Sequence, residues 1–109
     1  MKTLKFKPHL IDKILSGKKY VTFRLLDDKN LGIDDEVEFL NSDTKAPFAK
    51  VKITDVREKK LGEISDTDFA GNGEPESHES MLARYRVYYG DTVNLDTVVK
   101  IVSFELQRI

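Results

Sequence analysis

Three side chains that could do chemistry lie close together between Ser16 and Arg24, where the sequence reads Ser-Gly-Lys-Lys-Tyr-Val-Thr-Phe-Arg. Lys19 offers an amine, Thr22 a hydroxyl and Arg24 a guanidinium that suits a phosphate, a carbonyl oxygen or a carboxylate. The segment Tyr20–Leu25 alternates apolar and polar residues, which is typical of a strand with one core face. Its polar face is either an ordinary solvated surface or one wall of a ligand site.

The charges are distributed unevenly along the chain, although the formal net charge is only −1. Residues 1–24 carry seven basic groups and one carboxylate, a balance of +6, so the remaining residues sum to −7. Residues 61–82 carry six carboxylates and no lysine or arginine. The uniformly basic composition of a tight duplex-binding protein is therefore absent. The split favours a cleft for a small polar ligand or a few nucleotides, unless the two segments simply neutralise each other across the surface.

Length and composition exclude several classes of protein. The 109 residues are close to the usual size of one domain, so a single domain spanning residues 1–109 is expected. The absence of cysteine excludes disulfides, thiolate catalysis and cysteine-based zinc sites. His9 and His78 have no neighbours at metal-ligand spacing and no glycine-rich phosphate loop is present, so no metal or other cofactor is predicted.

The hydropathy pattern also bears on location and partners. The N-terminus lacks the apolar run of a signal peptide, and no stretch approaches the ~20 apolar residues of a membrane span. A cytoplasmic protein without a membrane partner is expected, and no protein partner is indicated.

Hydrophobic periodicity predicts short strands alternating with short helices. The phase of the strand around residues 48–56 shifts before Val56, which indicates a bulge or bend. Glu63, Asp66 and Asp68 are interpreted as part of a capped, solvated turn. The predicted elements are a strand at Lys2–Lys7, a helix from Pro8 that Gly17 ends, a strand at Tyr20–Leu25, a strand with Val37 and Phe39 inward, a strand at Phe48–Val56, a helical turn after Ser65, a helix at Ser77–Tyr89 closed by Gly90, and a strand at Thr97–Leu106 with Val98, Val102, Phe104 and Leu106 on one side.

These elements favour an α+β fold with five or six strands and two or three short helices, arranged as a small curved sheet or open barrel. In the helix Ser77–Tyr89, Tyr85, Tyr88 and Tyr89 share an apolar stripe and are expected in the core. Tyr20 is the better candidate for stacking on a base.

The motif and the order of elements together resemble the ASCH domains, relatives of the RNA-binding PUA fold. The resemblance rests on residues 16–24 after a short helix, on Leu31-Gly-Ile-Asp-Asp-Glu-Val, on Tyr-Tyr-Gly at residues 88–90, and on the closing strand at residues 99–106. It covers nearly the whole chain. It implies a PUA-like β-barrel with a cleft lined by the strand of residues 16–24.

The resemblance also implies a function. Small bacterial members hydrolyse the amide of acetylcytidine with a lysine and a threonine of this strand and a later glutamate. By the motif these are Lys19, Thr22 and Glu74, with Glu76 as a competitor for the third position. The residues then expected to contact the substrate are Lys18, Tyr20 and Arg24. The alternative is a non-catalytic module that binds RNA in the same cleft, and a nuclease is a weaker third possibility.

Amide hydrolysis needs a nucleophile, a base, an acid for the leaving amine and stabilisation of the oxyanion. Thr22 can supply the oxygen, Lys19 can act as the base only when neutral, and Glu74 can protonate the leaving nitrogen. Lys19 and Thr22 are three residues apart, so a regular strand would point them to opposite faces. They can converge if Lys19 still lies in the turn after Gly17 or if a bulge intervenes.

Overall fold

The computed structural model describes residues 2–25, 29–73 and 76–107. This part of the chain contains five strands, three α-helices and one 3-10 turn, in agreement with the predicted α+β class. In chain order they are β1 Lys2–Phe6, α1 Pro8–Leu15, β2 Val21–Arg24, β3 Glu36–Asn41, β4 Pro47–Lys60, the 3-10 turn Leu61–Glu63, α2 Asp66–Phe69, α3 His78–Tyr89 and β5 Val98–Leu106. None of these helices has the length and apolar character required to span a membrane.

The five strands form one mixed sheet in the order β1-β3-β4-β5-β2. β1 and β3 are parallel, and the other neighbours are antiparallel. The sheet curls into a half-barrel, which confirms the predicted PUA-like open barrel. β1 and β2 are its two edges, and they approach each other: the Nη2 atom of Arg24 donates to the carbonyl oxygen of Lys5 at 3.4 Å.

β4 is longer than predicted. The register shift between Ile53 and Asp55 confirms the predicted irregularity before Val56. The strand nevertheless continues beyond Val56 to Lys60 and pairs there with the start of β5. Its last four residues, Arg57–Lys60, are charged and mostly exposed, so no apolar alternation marks them as strand.

β5 lies between two apolar cores. The sequence predicted only one apolar side for this strand. Val102 and Phe104 belong to a core inside the curl that also contains Leu4, Phe6, Ile14, Leu31, Val37, Phe39, Val51 and Ile53. Val99 and Ile101 face a second core with Val21, Phe23, Leu25, Leu61, Ile64, Met81, Tyr85 and Val93. Val98, the first residue of the strand, is exposed. Because β5 carries apolar residues on both of its faces, a simple period of two does not reveal which of them are buried.

The two longer helices cover the two cores. α1 starts with Pro8 at a position where a missing N–H costs nothing, and buries Ile14 in the first core. As predicted, α1 ends before Gly17, which has φ +83°. α3 is capped by Ser77, whose hydroxyl accepts from the Ser80 N–H, and packs Met81 and Tyr85 into the second core.

In the acidic turn Glu63 and Asp66 are exposed as predicted, but Asp68 is not solvated. α2 is capped by Ser65 as predicted, but the Asp68 side chain is only 2% exposed. Its carboxylate accepts from Arg57 Nη2 and Lys59 Nζ, both at 2.7 Å, and from the Ser65 N–H at 2.9 Å. Burial alone would raise the pKa of Asp68, but the hydrogen bonds from Lys59, Ser65 and Arg57 outweigh burial and hold that pKa well below its usual range.

This arrangement predicts acid sensitivity. A carboxyl group whose pKa is lower in the folded state stabilises the fold above its unfolded pKa, about 3.9, and this contribution is lost as the pH falls below that value. Asp68→Asn should lower the free energy of unfolding at pH 7 by about 1–3 kcal/mol and should flatten its decline below pH 4. Urea unfolding from pH 2.5 to pH 7 measures both effects.

Asp66→Asn, an exposed neighbour in α2, is the control and should leave the profile unchanged. If Asp68→Asn and Asp66→Asn give the same profile, the ion pairs of Asp68 do not stabilise the fold.

Candidate functional site

Lys19 lies in the turn between α1 and β2, before the regular strand begins. Its backbone N–H donates to the carbonyl oxygen of Lys13 at 2.9 Å, and it forms an isolated antiparallel bridge with Asn72. The residue is only 4% exposed, an unusual degree of burial for a lysine.

Oxygen atoms replace the water that the buried amine of Lys19 has lost. The Nζ atom donates to the Val21 carbonyl oxygen at 2.8 Å, to Asn72 Oδ1 at 2.9 Å and to the Asn72 carbonyl oxygen at 3.3 Å. An ammonium group has three hydrogens to donate, and these acceptors can use all of them. Lys19 is therefore arranged as a donor, and it must release at least one of these contacts before Nζ can accept a proton.

The loop Gly71–Gly73 holds Lys19 in this position. The Gly71 carbonyl oxygen accepts from the N–H groups of Tyr20 and Val21, at 2.9 and 3.0 Å. A Cβ atom on Gly71 would lie 2.6 Å from Tyr20 Cε2 and 2.6 Å from Val21 Cγ2. Gly73 has φ +81°, and a Cβ atom there would lie 2.8 Å from Lys19 Cβ. Both glycines therefore allow an approach that a side chain would prevent.

Thr22 and Lys19 line the same cavity. Thr22 pairs with Val102 across the β2–β5 ladder and is 5% exposed. The two residues converge because Lys19 precedes β2 and does not follow its alternation, which is the first of the two routes expected from the sequence. The structure thus brings an amine and a hydroxyl of the motif to one site.

Arg24 lies on the same face of β2 as Thr22, two residues further on. Its guanidinium carbon is 5.0 Å from the centre of the Phe6 ring, a cation–π arrangement, and its Nη2 atom contacts the Lys5 carbonyl oxygen. These contacts hold the guanidinium at the seam between the two edge strands.

The cavity along this seam has a volume of about 360 Å³, within the range of small-molecule sites. Its described lining includes five lysine and arginine side chains, one histidine and no carboxylate. Lys19, Thr22 and Asn72 are buried and form its deep part, whereas Lys5, Lys7 and His9 are exposed at its mouth. The described lining residues are Lys5, Phe6, Lys7, His9, Leu10, Lys19, Thr22, Phe23, Arg24, Ser42, Asn72, Arg84, Tyr85 and Tyr88.

Of the two glutamates considered for the third position of the motif, the structure describes only Glu76. Glu74 lies outside the described residues. Glu76, the competitor, is engaged elsewhere: it forms an ion pair with Arg84 Nη1 at 2.6 Å and accepts a hydrogen bond from the Ser80 hydroxyl. Glu76 is not among the described lining residues, so it contributes by holding Arg84 at the wall.

Two of the three tyrosines in α3 are not in the core positions expected for them. Tyr85 is buried as predicted; its hydroxyl donates to the Phe23 carbonyl oxygen at 3.3 Å, and burial raises the pKa of Tyr85. Tyr88 and Tyr89 are exposed, so the expectation of a core position is wrong for both. Tyr88, 57% exposed, lines the cavity and has a ring available for stacking.

Two of the expected ligand-binding residues lie away from this cavity. Tyr20 packs beside Gly71 and is 49% exposed, and Lys18 is exposed in the turn. Neither is among the described lining residues.

Sequence reasoning missed six polar residues that line the cavity: Lys5, Lys7, His9, Ser42, Asn72 and Arg84. The excess of basic residues before residue 25 was a signal for the lysines. No group of three metal-binding side chains occurs in the described ranges.

Comparison with known proteins shows the fold. No protein-family model and no curated protein sequence matches the chain. Among solved structures, an ASCH domain from Lactobacillus crispatus is 20% identical with a TM-score of 0.71, over 90% of this chain and 70% of that one. The ASCH protein of Zymomonas mobilis is 17% identical with a TM-score of 0.60, over 94% and 65% of the two chains.

A third structure, protein PF0455 from Pyrococcus furiosus, matches over almost its full length. It is 20% identical with a TM-score of 0.66, over 99% of this chain and 98% of that one. At these identities the similarity establishes that the chain has the fold of ASCH domains.

The close docking of the Gly71–Gly73 loop predicts that Gly71→Ala is destabilising. The added methyl group must displace Tyr20 or Val21, and such overpacking costs about 1–3 kcal/mol. Gly32→Ala is the matched control, because the nearest atom to a Cβ there is 3.7 Å away and its φ is not positive. Thermal unfolding of both variants measures the difference. Equal melting temperatures would show that the loop does not pack on the turn in this way.

Proposed function

We propose that this chain is an ASCH domain that hydrolyses the amide of an acylated nucleoside, converting acetylcytidine and water to cytidine and acetate. The observation that supports this most is the convergence of Lys19 and Thr22 in one cavity of suitable volume. The fold and the motif of residues 16–24 agree with it, since both resemble those of ASCH domains.

In this proposal Thr22 supplies the nucleophile. Its Oγ atom attacks the acetyl carbonyl carbon, an ester to Thr22 forms, and the bond to the cytosine nitrogen breaks. Water then cleaves the ester, so that acetate leaves and the hydroxyl of Thr22 is restored. The leaving nitrogen needs a proton, and Glu74 is the proposed donor.

Lys19 is the proposed base for Thr22, and its surroundings define when it can act. Nζ first gives up a contact with Asn72 or Val21 and releases a proton to solvent water, and the neutral amine then accepts the proton of the Thr22 hydroxyl. In its protonated form the same atom is a donor for the oxyanion of the tetrahedral intermediate that precedes the ester. Asn72 supplies two of the three acceptors found among the described residues, so it helps to orient the amine in either state.

Substrate binding is proposed to involve Arg24 and Tyr88. Arg24 offers fixed donors on the same strand face as Thr22, and Tyr88 offers a ring on which a base can stack. Lys18 and Tyr20 remain proposed contacts only for a substrate that extends beyond the cavity.

The test is release of acetate from acetylcytidine by the purified protein. Thr22→Val keeps the shape of the side chain and removes the hydroxyl, and Lys19→Met removes the amine. Each should lower kcat at least about 100-fold, the usual scale for loss of a nucleophile or base. Thr22→Ser retains the hydroxyl and should keep measurable activity.

Thermal unfolding of each variant checks that the fold is intact, which is essential for Lys19→Met because Lys19 has structural contacts. Acetate release at the wild-type rate by folded Thr22→Val would remove Thr22 from the proposed role. Absence of acetate release by the wild-type protein would contradict the activity itself.

The basic lining of the cavity favours a second candidate, a non-catalytic RNA-binding module. Single-stranded RNA should then bind with an affinity that falls steeply as salt increases. Lys19→Met combined with Arg24→Gln should weaken binding, whereas Thr22→Val should leave it unchanged. Fluorescence anisotropy at 50 and 200 mM salt measures these effects. RNA affinity that is the same in the double variant would rule out the cavity as the RNA site.

A further inference from the structure

We propose that the cavity takes a nucleoside monophosphate, with the phosphate at the mouth between Lys5, Lys7 and Arg24 and the acylated base in the deep part. The nucleoside half of this ligand rests on the proposed function. The phosphate half rests on the charge and burial of the lining.

Burial divides the cavity into two chemically different ends. Lys19, Thr22 and Asn72 are each less than a tenth exposed, so the deep end excludes most water and suits the planar, uncharged part of a ligand. Lys5, Lys7 and His9 are exposed, so a group bound beside them keeps part of its hydration. A doubly charged phosphate is costly to dehydrate and belongs at that end.

The charges of Lys5 and Lys7 at the mouth are not offset in the same way as those of Arg84 and Lys19 deeper in the lining. Arg84 is paired with Glu76, and Lys19 is enclosed by three oxygen atoms. Lys5 and Lys7 form no ion pair with any of the described residues. A bound anion would therefore lower the repulsion among the cations along the edge of β1.

Arg24 connects the two ends. Phe6 lies under its guanidinium and the Lys5 carbonyl oxygen contacts one of its nitrogens, so the planar group is already oriented before a ligand binds. Such a group can donate two parallel hydrogen bonds to a phosphate. Along the strand, Thr22 and Arg24 are separated by two residues, about 7 Å, which leaves space for a ribose between the reacting carbonyl and the phosphate.

The volume favours one nucleotide over a longer strand. A cavity of about 360 Å³ can enclose a mononucleotide, whereas an oligonucleotide would have to lie mainly outside it.

Calorimetric binding of cytidine, cytidine 5′-monophosphate, cytidine 3′-monophosphate and a cytidine trinucleotide to the whole chain tests the proposal. At 50 mM salt one of the monophosphates should bind at least about tenfold more tightly than cytidine, the effect of one or two charge-assisted contacts. The double variant Lys5→Gln/Lys7→Gln should lose most of this preference. Lys50→Gln/Lys52→Gln removes the same charge from β4, away from the cavity, and should retain the preference.

Equal binding of cytidine and both monophosphates would overturn the proposal, as would a preference that survives Lys5→Gln/Lys7→Gln. Binding of the trinucleotide more tightly than either monophosphate would also overturn it and would favour the RNA-binding module. If none of the four ligands binds, the cavity is not a nucleotide site.

Hydrolysis separates the outcome of this inference from that of the proposed function. If acetylcytidine and its 5′-monophosphate are cleaved with equal kcat/KM and the ligands bind equally, the proposed activity stands and the phosphate site is overturned. If neither compound is cleaved but a monophosphate still binds through Lys5 and Lys7, the proposed activity fails and the phosphate site stands.

Discussion

The structure of the site depends on the burial of one amine. A lysine removed from water must find oxygen acceptors, since an unsatisfied buried donor costs several kcal/mol. Lys19 finds them in Val21 and Asn72, so the turn before β2 and the loop Gly71–Gly73 must dock together. Neither segment can move without leaving the amine short of acceptors. The same docking makes the amine and the Thr22 hydroxyl neighbours in the cavity.

The docking also explains how the basic and acidic parts of the chain are related in space. Asp68 and Glu76, from the acidic segment, pair with Arg57, Lys59 and Arg84, and all three cations lie outside residues 1–24. Neither these two carboxylates nor any other carboxylate of the described residues pairs with Lys5 or Lys7 at the cavity mouth. Asn72 and its flanking glycines, all neutral, contact the N-terminal segment around Lys19, and apolar residues of the second core make other contacts between the two segments. The cavity can in this way be basic in a chain whose net charge is −1.

Local sequence patterns were enough to predict most of the framework. Gly17 marked the end of α1, Ser77 the start of α3, and the alternation in β2 identified Val21 and Phe23 as core residues. These features depend on neighbours in the chain, and propensity and periodicity report such neighbours well.

The residues whose positions the sequence did not predict depend on contacts that are distant in sequence. Asp68 is buried because Arg57 and Lys59 extend from β4 to meet it, which its own segment does not reveal. Tyr88 is exposed because α3 covers the second core with one face, and its apolar stripe is wider than that face. Asn72 accepts a hydrogen bond from Lys19, which is 53 residues away in the chain. In the sequence, only the two glycines beside Asn72 indicated a close approach of another segment.

The candidate site of the half-barrel lies where its two edge strands, β1 and β2, approach each other. β1 and β2 are not joined by a ladder of backbone hydrogen bonds. One of the described contacts between them is the hydrogen bond from the Arg24 guanidinium to the Lys5 carbonyl oxygen. A small molecule bound there would bridge β1 and β2, because its two ends would contact the two edge strands of one sheet. Occupancy would then be linked to rigidity: the loaded protein should exchange the amide hydrogens of β1 and β2 more slowly than the empty one.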